Sequence, residues 1–304
     1  MTQTERRTNL PFVVENDAEV ARLLTLHREL SAWMGGALPP KLDIAQVKRV
    51  LDVGCGIGAW VHEVAQQHPQ MHVFGIDTSP FCIEQARSLT RNLYNVTLLE
   101  QDMHTLEGVF NPDSFDLIHL RFMAGTVSVT QFPQLLASLT RLCKRKGILI
   151  LTEAELPLTS SHACDYLSSL ILSAMISADM AFTPAFTPQL GLMSRLRYWT
   201  RTLGYTHQLD DTLYLDISRS ASAYTIFTQQ TAILGQHIRP FIINTGQISP
   251  TEFDDLFTEL QQEIAARGFY GACPIQTLVA VNAPRFFPLE GNRTTRVSPH
   301  VGHL

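Results

Sequence analysis

VLDVGCGIGAW, residues 50–60, runs from a short apolar segment into three glycines spaced two apart, Gly54, Gly56 and Gly58. A glycine run between a strand and a helix lets the backbone turn tightly and leaves helix N-terminal N–H groups facing a ligand. The flanking sequence fits that reading. RVLDVG (49–54) is strand-like, IGAWVHEVAQQHP is helical until Pro69, and MHVFGID is a second strand. SPFCIEQARSLTRNL is a second helix, with Ser79 at its cap and Pro80 at its first position. NVTLLEQD, FDLIHLRF after the turn NPDS, a helix from about Phe132 to Lys144, and GILILTE after KRKG continue the alternation. The pattern predicts an α/β fold with a doubly wound, mostly parallel sheet, whose ligands sit outside the carboxyl ends of the strands.

Beyond this core, NDAEVARLLTLHRELSAWMGG (16–36) predicts an N-terminal helix, and residues 162–204 predict two helices separated by FTPAFTP. HQLDDTLYLDI (207–217) and GACPIQTLVAVNA are the sixth and seventh strands, with helices over 220–240 and 250–267 between them. The expected organisation is a helical cap over 1–46, a main domain over 47–283 with a substrate-covering insertion at about 155–204, and a loose tail over 284–304.

The 304 residues are 45% hydrophobic, enough to bury a sizeable core. A net charge of −5 and no basic, aromatic-interleaved extension argue against a nucleic-acid partner. Tyr166 to Phe182 is interrupted by serines and Asp179, so it reads as a buried helix and not as a membrane span. MTQTERRTNLPF lacks an apolar signal region, and the five scattered cysteines form no CxxC pair. Together these suggest a cytoplasmic protein with reduced thiols, no thiolate metal site, a small-molecule partner, and room for a homodimer.

GCGIGA alone also satisfies the loose dinucleotide pattern, with Asp77 about 20 residues on, so a nicotinamide enzyme stays open on the glycines alone. Asp52 changes the balance, because a carboxylate two residues before the first glycine suits a cationic group better than a pyrophosphate. Asp77 ends the second strand and Asp102 ends the third, so parallel strands bring three acids to one edge. Two of them suit the donors of a ribose and an adenine amine.

With VLDVGCGIG, VFGIDTS, LLEQDMHTL, FDLIHLRF and KRKGILILTE in this order over about residues 49–153, the sequence resembles the class I S-adenosylmethionine-dependent methyltransferases. It looks most like the small-molecule branch that includes ubiquinone and menaquinone C-methyltransferases and fungal secondary-metabolism regulators. The resemblance implies a seven-stranded Rossmann-like sheet and S-adenosyl-L-methionine as cofactor. It also implies Asp52 toward the methionine amino group, close approach at Gly54, Gly56 and Gly58, Asp77 on the ribose and Asp102 on the adenine amine. Met103 would pack on the adenine; Cys55, Thr78 and His119 would border the donor.

A sulfonium methyl is already electrophilic, so the protein has chiefly to align the acceptor and exclude water. Where the acceptor must lose a proton, His119 and His104 are the nearest candidate bases. Phe122, Met123, Phe182, Phe186 and Tyr198 are candidate contacts for an apolar or aromatic acceptor methylated on oxygen or carbon. The competing readings are a donor-binding regulator or non-methylating enzyme on this fold, an NAD-dependent oxidoreductase, and an RNA methyltransferase.

Overall fold

In the computed structural model, which describes residues 16–183 and 189–283, neighbouring strand residues divide between two layers of helix. The strands are β1 (Arg49–Val53), β2 (His72–Asp77), β3 (Val96–Glu100), β4 (Phe115–Arg121), β5 (Cys143–Ala154), β6 (Leu158–Thr159), β7 (Tyr205–Asp216) and β8 (Gly271–Asn282). The helices are α1 (Asp17–Met34), α2 (Ala59–Gln67), α3 (Pro80–Thr90), α4 (Phe132–Leu142), α5 (His162–Ser177), α6 (Leu192–Thr202), α7 (Tyr224–Ile243) and α8 (Pro250–Ala265). Val50, Leu117, Ile150 and Val279 pack under Trp60, Val61 and Val64 of α2 and Ile83 and Ala86 of α3. Their neighbours Leu51, Ile118, Leu151 and Leu278 pack under α4 and α6 on the other face. This is the period-2 alternation of a sheet covered on both sides, which is why its strands read as continuous apolar runs.

β3, β2, β1, β4 and β5 lie side by side in that order, all parallel. β8 is antiparallel to β5, and β7 is antiparallel to β8 on its far side. The sheet has eight strands and not seven, because the two-residue β6 continues the line of β5 along the same edge of β8. From β1 the chain winds outward through β2 to β3, then returns to β4 on the other side of β1. The switch point therefore lies between the carboxyl ends of β1 and β4, where the glycine loop and Arg121 emerge.

Local chemistry accounts for the helix ends. The Asn16 side chain caps α1 and Ser79 caps α3, with Pro80 at its first position. Ser249 and Glu252 form a reciprocal capping box on α8. Gly58, at a φ of +76°, starts α2 so close to α3 that an added Cβ would lie 2.7 Å from the Ala86 Cβ.

The 155–204 segment differs from the expected cover. α5 packs with α7 and α8 through Leu167, Leu170, Ile238, Phe253 and Leu260, whereas α6 joins the main core. The two helices spend their apolar faces on different clusters. No described helix is long and apolar enough to cross a membrane. The expected tail over 284–304 lies outside the described residues.

Candidate active site

Asp52 on β1 and His119 on β4 are direct register partners, so the parallel pairing alone places their side chains together. His119 Nδ1 lies 2.7 Å from Asp52 Oδ1, and both residues are buried. The carboxylate accepts, which puts the ring proton on Nδ1 and leaves Nε2 with its lone pair. Burial pushes the His119 pKa below its ordinary value, against the opposing pull of Asp52, so the ring is neutral at pH 7. Its face stacks on Trp60 at 3.9 Å between centroids and 4° between planes. Trp60 is fixed in turn by an Nε1–H bond to the Ala37 carbonyl, 2.9 Å.

The glycine loop borders this pair. Gly56 has a φ of +53°, and an added Cβ there would meet no atom within 4 Å. Its N–H donates to Asp77 Oδ2 at 3.0 Å, and the Ser79 N–H donates to Asp77 Oδ1 at 2.8 Å. The loop is thus tied to the end of β2 by a carboxylate, while one side of Gly56 stays open. Cys55 is buried in the same loop; burial, reinforced by Asp52 and Asp77, raises its pKa well above the usual range and keeps it a thiol, unsuited to attack.

α1 roofs the loop. Leu23, Leu26, His27 and Leu30 face Asp52, Gly54, Gly56, Trp60, His119 and Arg121 across a cavity of about 140 Å³. That volume admits an amino-acid-sized group, well short of the ~300 Å³ at which drug-sized ligands are enclosed. A larger cavity of about 210 Å³ lies beyond the same wall, sharing Trp60, His119 and Arg121. Its other sides are Trp33 and Met34 of α1, Ile150 and Thr152 of β5, Ile275 and Thr277 of β8, and Asp211 to Leu213 of β7.

The remaining expected residues fall at different distances from these cavities. Asp102 accepts from the His104 N–H at 2.9 Å in the loop after β3. Met103 is half-buried and approaches Gly54, together with Met123. Thr78 is exposed beside Asp77. His104 is exposed and lines neither cavity, so the structure does not bring it to Asp52 and His119. Asp116 is a turn-side acid at the opposite edge, accepting from the Lys48 and Arg49 N–H groups and pairing with Lys144.

The aromatic acceptor contacts are largely redistributed. Phe122 lines the smaller cavity, with a φ of +58° that is costly for a bulky residue. Met123 and Phe182 are core residues, Phe182 packing edge-on against Phe132 and Trp199. Tyr198 is 64% exposed on α6 and lines neither cavity. Phe186 lies outside the described residues. No described residue of 155–204 lines either cavity, because α1 supplies the roof in its place.

Three polar residues at this end of the sheet were not singled out in the sequence. Arg121 closes β4 and lines both cavities; His27 of α1 lines the smaller one and bonds Glu63 of α2 at 2.7 Å; Glu153, one residue before the end of β5, lies behind them. Burial alone would raise the Glu63 pKa, but hydrogen bonds from His27 and Ser31 outweigh it and hold the carboxyl at about 2. Glu153 is buried with no cation beside it among the described residues. Burial drives its carboxyl up to about 8, although it accepts from the Met123 N–H at 2.7 Å and the Ala124 N–H at 3.3 Å. Arg121 and Glu153 sit at the carboxyl edge of the sheet, where the one available signal is a charge near the end of an apolar strand; His27 sits on the roof, with no such signal.

Comparison with known proteins fits this geometry. Methyltransferase str3 of Strobilurus tenacellus is 35% identical over 112 residues, 36% of this chain and 37% of that protein. Methyltransferase str2 of the same fungus is 34% identical over 122 residues, 39% of this chain and 41% of that protein. Aklanonic acid methyltransferase DauC of Streptomyces sp. is 38% identical over 97 residues, 31% of this chain and 41% of that protein. The matched stretches thus span about two fifths of the length of these relatives. A family model described as a methyltransferase domain matches residues 44–201, just over half of the chain, and contains the glycine loop, the acids and the Asp52–His119 pair. The chain belongs to this methyltransferase domain family.

Proposed function

We propose that the protein is an S-adenosylmethionine-dependent methyltransferase acting on a small, largely apolar or aromatic metabolite, on oxygen or carbon. The observation that carries this reading is the pair of adjoining cavities at the switch point, one floored by the open Gly56 and the other mostly apolar, with His119 in the wall between them. When bound, S-adenosylmethionine supplies a methyl group on a positively charged sulfur, whose bond to the methyl breaks as the acceptor bond forms in line. Asp52, Gly56, Asp77, Asp102 and Met103 would hold it. The acids fit the cationic and hydroxyl-bearing parts of that molecule, as a phosphate would not. Residues 16–46 act as the roof, and the described residues of 47–283 as the catalytic domain.

The chain's own work is alignment, exclusion of water by α1, and removal of a proton where the acceptor carries one. His119 is placed to take that proton, since Asp52 holds its tautomer and the neutral ring keeps Nε2 free to accept. With a phenolic acceptor, His119→Gln should lower kcat by about 10²-fold or more. Because burial depresses the His119 pKa, the acid limb of the parent's pH–rate profile should lie at lower pH than for an ordinary imidazole.

Calorimetric titration with S-adenosylhomocysteine and with NAD tests the donor, and binding of NAD alone would overturn the assignment. Asp102→Ala should weaken S-adenosylhomocysteine binding by roughly 1–3 kcal/mol through loss of an acceptor. Incubation with lipophilic phenols and quinones should yield a product heavier by one CH₂. Donor binding with inactivity across a broad acceptor panel would favour a donor-binding regulator.

A further inference from the structure

The Arg121 side chain has one hydrogen bond among the described residues, from Nη2 to His27 Nδ1 at 3.0 Å. His27 can accept there because its other nitrogen donates to Glu63 Oε2, so the arginine is held by a ring nitrogen and not by a carboxylate. Asp52 and Glu63 are the acids nearest its charge, yet neither forms an ion pair with it. A guanidinium carries five N–H donors, and in half-buried Arg121, which also lies 5.5 Å from the Phe122 ring centroid, most of them are left to groups entering the cavity. Those donors border the cavity that also contains Asp52, whose Oδ1 is taken by His119 while Oδ2 has no hydrogen bond from the described residues. One wall therefore offers a cation with spare donors and a carboxylate oxygen with no donor from the described residues, in a space the size of an amino-acid head.

We infer that Arg121 receives the α-carboxylate of the donor's amino-acid end, with Asp52 toward the amino group. This rests on the S-adenosylmethionine reading above and adds the residue that tells the intact donor from one lacking its carboxylate. A carboxylate on the acceptor is the competing source of the same chemistry, since Arg121 also borders the larger cavity. The shared wall with Asp52 and Gly56 favours the donor.

Calorimetry separates the two. The parent protein should bind S-adenosylhomocysteine at least about tenfold more tightly than its decarboxylated analogue, S-adenosyl-3-thiopropylamine. Arg121→Met should bind the two alike, with affinity for the decarboxylated analogue kept within a few-fold, which also reports that the site is folded. Arg121→Lys, which keeps the charge and loses the fork, should fall between and decides the matter if the methionine variant does not fold. Undiminished preference for S-adenosylhomocysteine in the variants, or no preference in the parent, overturns the inference and leaves the donor assignment standing. Loss of acceptor affinity alone would move the role to the acceptor's carboxylate. No S-adenosylhomocysteine binding by the parent overturns the donor assignment itself.

Discussion

Glu153→Gln should flatten the fall in stability that the parent protein undergoes between about pH 5 and pH 8. With its carboxyl raised to about 8 in the folded state, Glu153 keeps a proton that the unfolded chain gives up near its ordinary value of 4.5. Between those values the native state binds more protons, so unfolding free energy declines as pH rises, by about 1.4 kcal/mol per unit. The stabilising contribution is complete below the unfolded pKa and lost once pH passes the folded one. Over that window it amounts to about 4 kcal/mol. Glutamine cannot ionise. Its amide oxygen can still accept from the Met123 N–H, while the weaker bond from Ala124 is lost equally at every pH. Chemical denaturation at pH 5 and pH 8.5 measures both proteins. A parent and variant that decline in parallel would show that Glu153 is already ionised in the native state.

Valine at Gly56 and valine at Gly58 should fail in opposite ways. At Gly58 the Cβ would sit 2.7 Å from the Ala86 Cβ and 3.1 Å from its Cα, both fixed by α3. Overpacking there, added to the strain of a branched residue at positive φ, should cost roughly 2–4 kcal/mol of stability. At Gly56 nothing lies within 4 Å, so only the backbone term applies, about 1–2 kcal/mol. The side chain would instead project into the open cradle, and S-adenosylhomocysteine affinity should drop at least about tenfold while the protein stays folded. Thermal unfolding and calorimetry on both variants check this. A Gly56→Val protein with parental donor affinity would mean that the loop does not face the donor.

The parallel core was readable because its signals are local. Apolar runs closed by Asp52, Asp77 and Asp102 give both the strand ends and the acids, and Ser79 with Pro80 marks a helix start within two residues. The Asp52–His119 pair was half-readable: each residue was a candidate, but their contact depends on β1 lying beside β4, a matter of topology. Arg121 was not readable, because its partner His27 is 94 positions away and joins it only when α1 folds over the sheet. Glu153 reads as the polar end of GILILTE until the loop after Phe122 is seen to turn its N–H groups onto it. Phe182 follows a general rule in the other direction. An aromatic near prolines suggests a loop at a pocket, but the rings of Phe132 and Trp199 offered it a packed site.

The place of β8 in the sheet governs the order in which the site can be built during synthesis. β1 to β5 emerge in sequence and pair with one another, so the glycine loop and the Asp52–His119 pair can form on the early part of the chain. β8 comes last of the described strands and inserts between β5 and β7, so before residue 271 appears both strands carry an unpaired edge. Ile275 and Thr277, which wall the larger cavity, arrive with it. A ribosome-bound chain stalled before β8 would thus hold the glycine loop and the Asp52–His119 pair beside a half-walled larger cavity, exposing a sticky strand edge until β8 closes it.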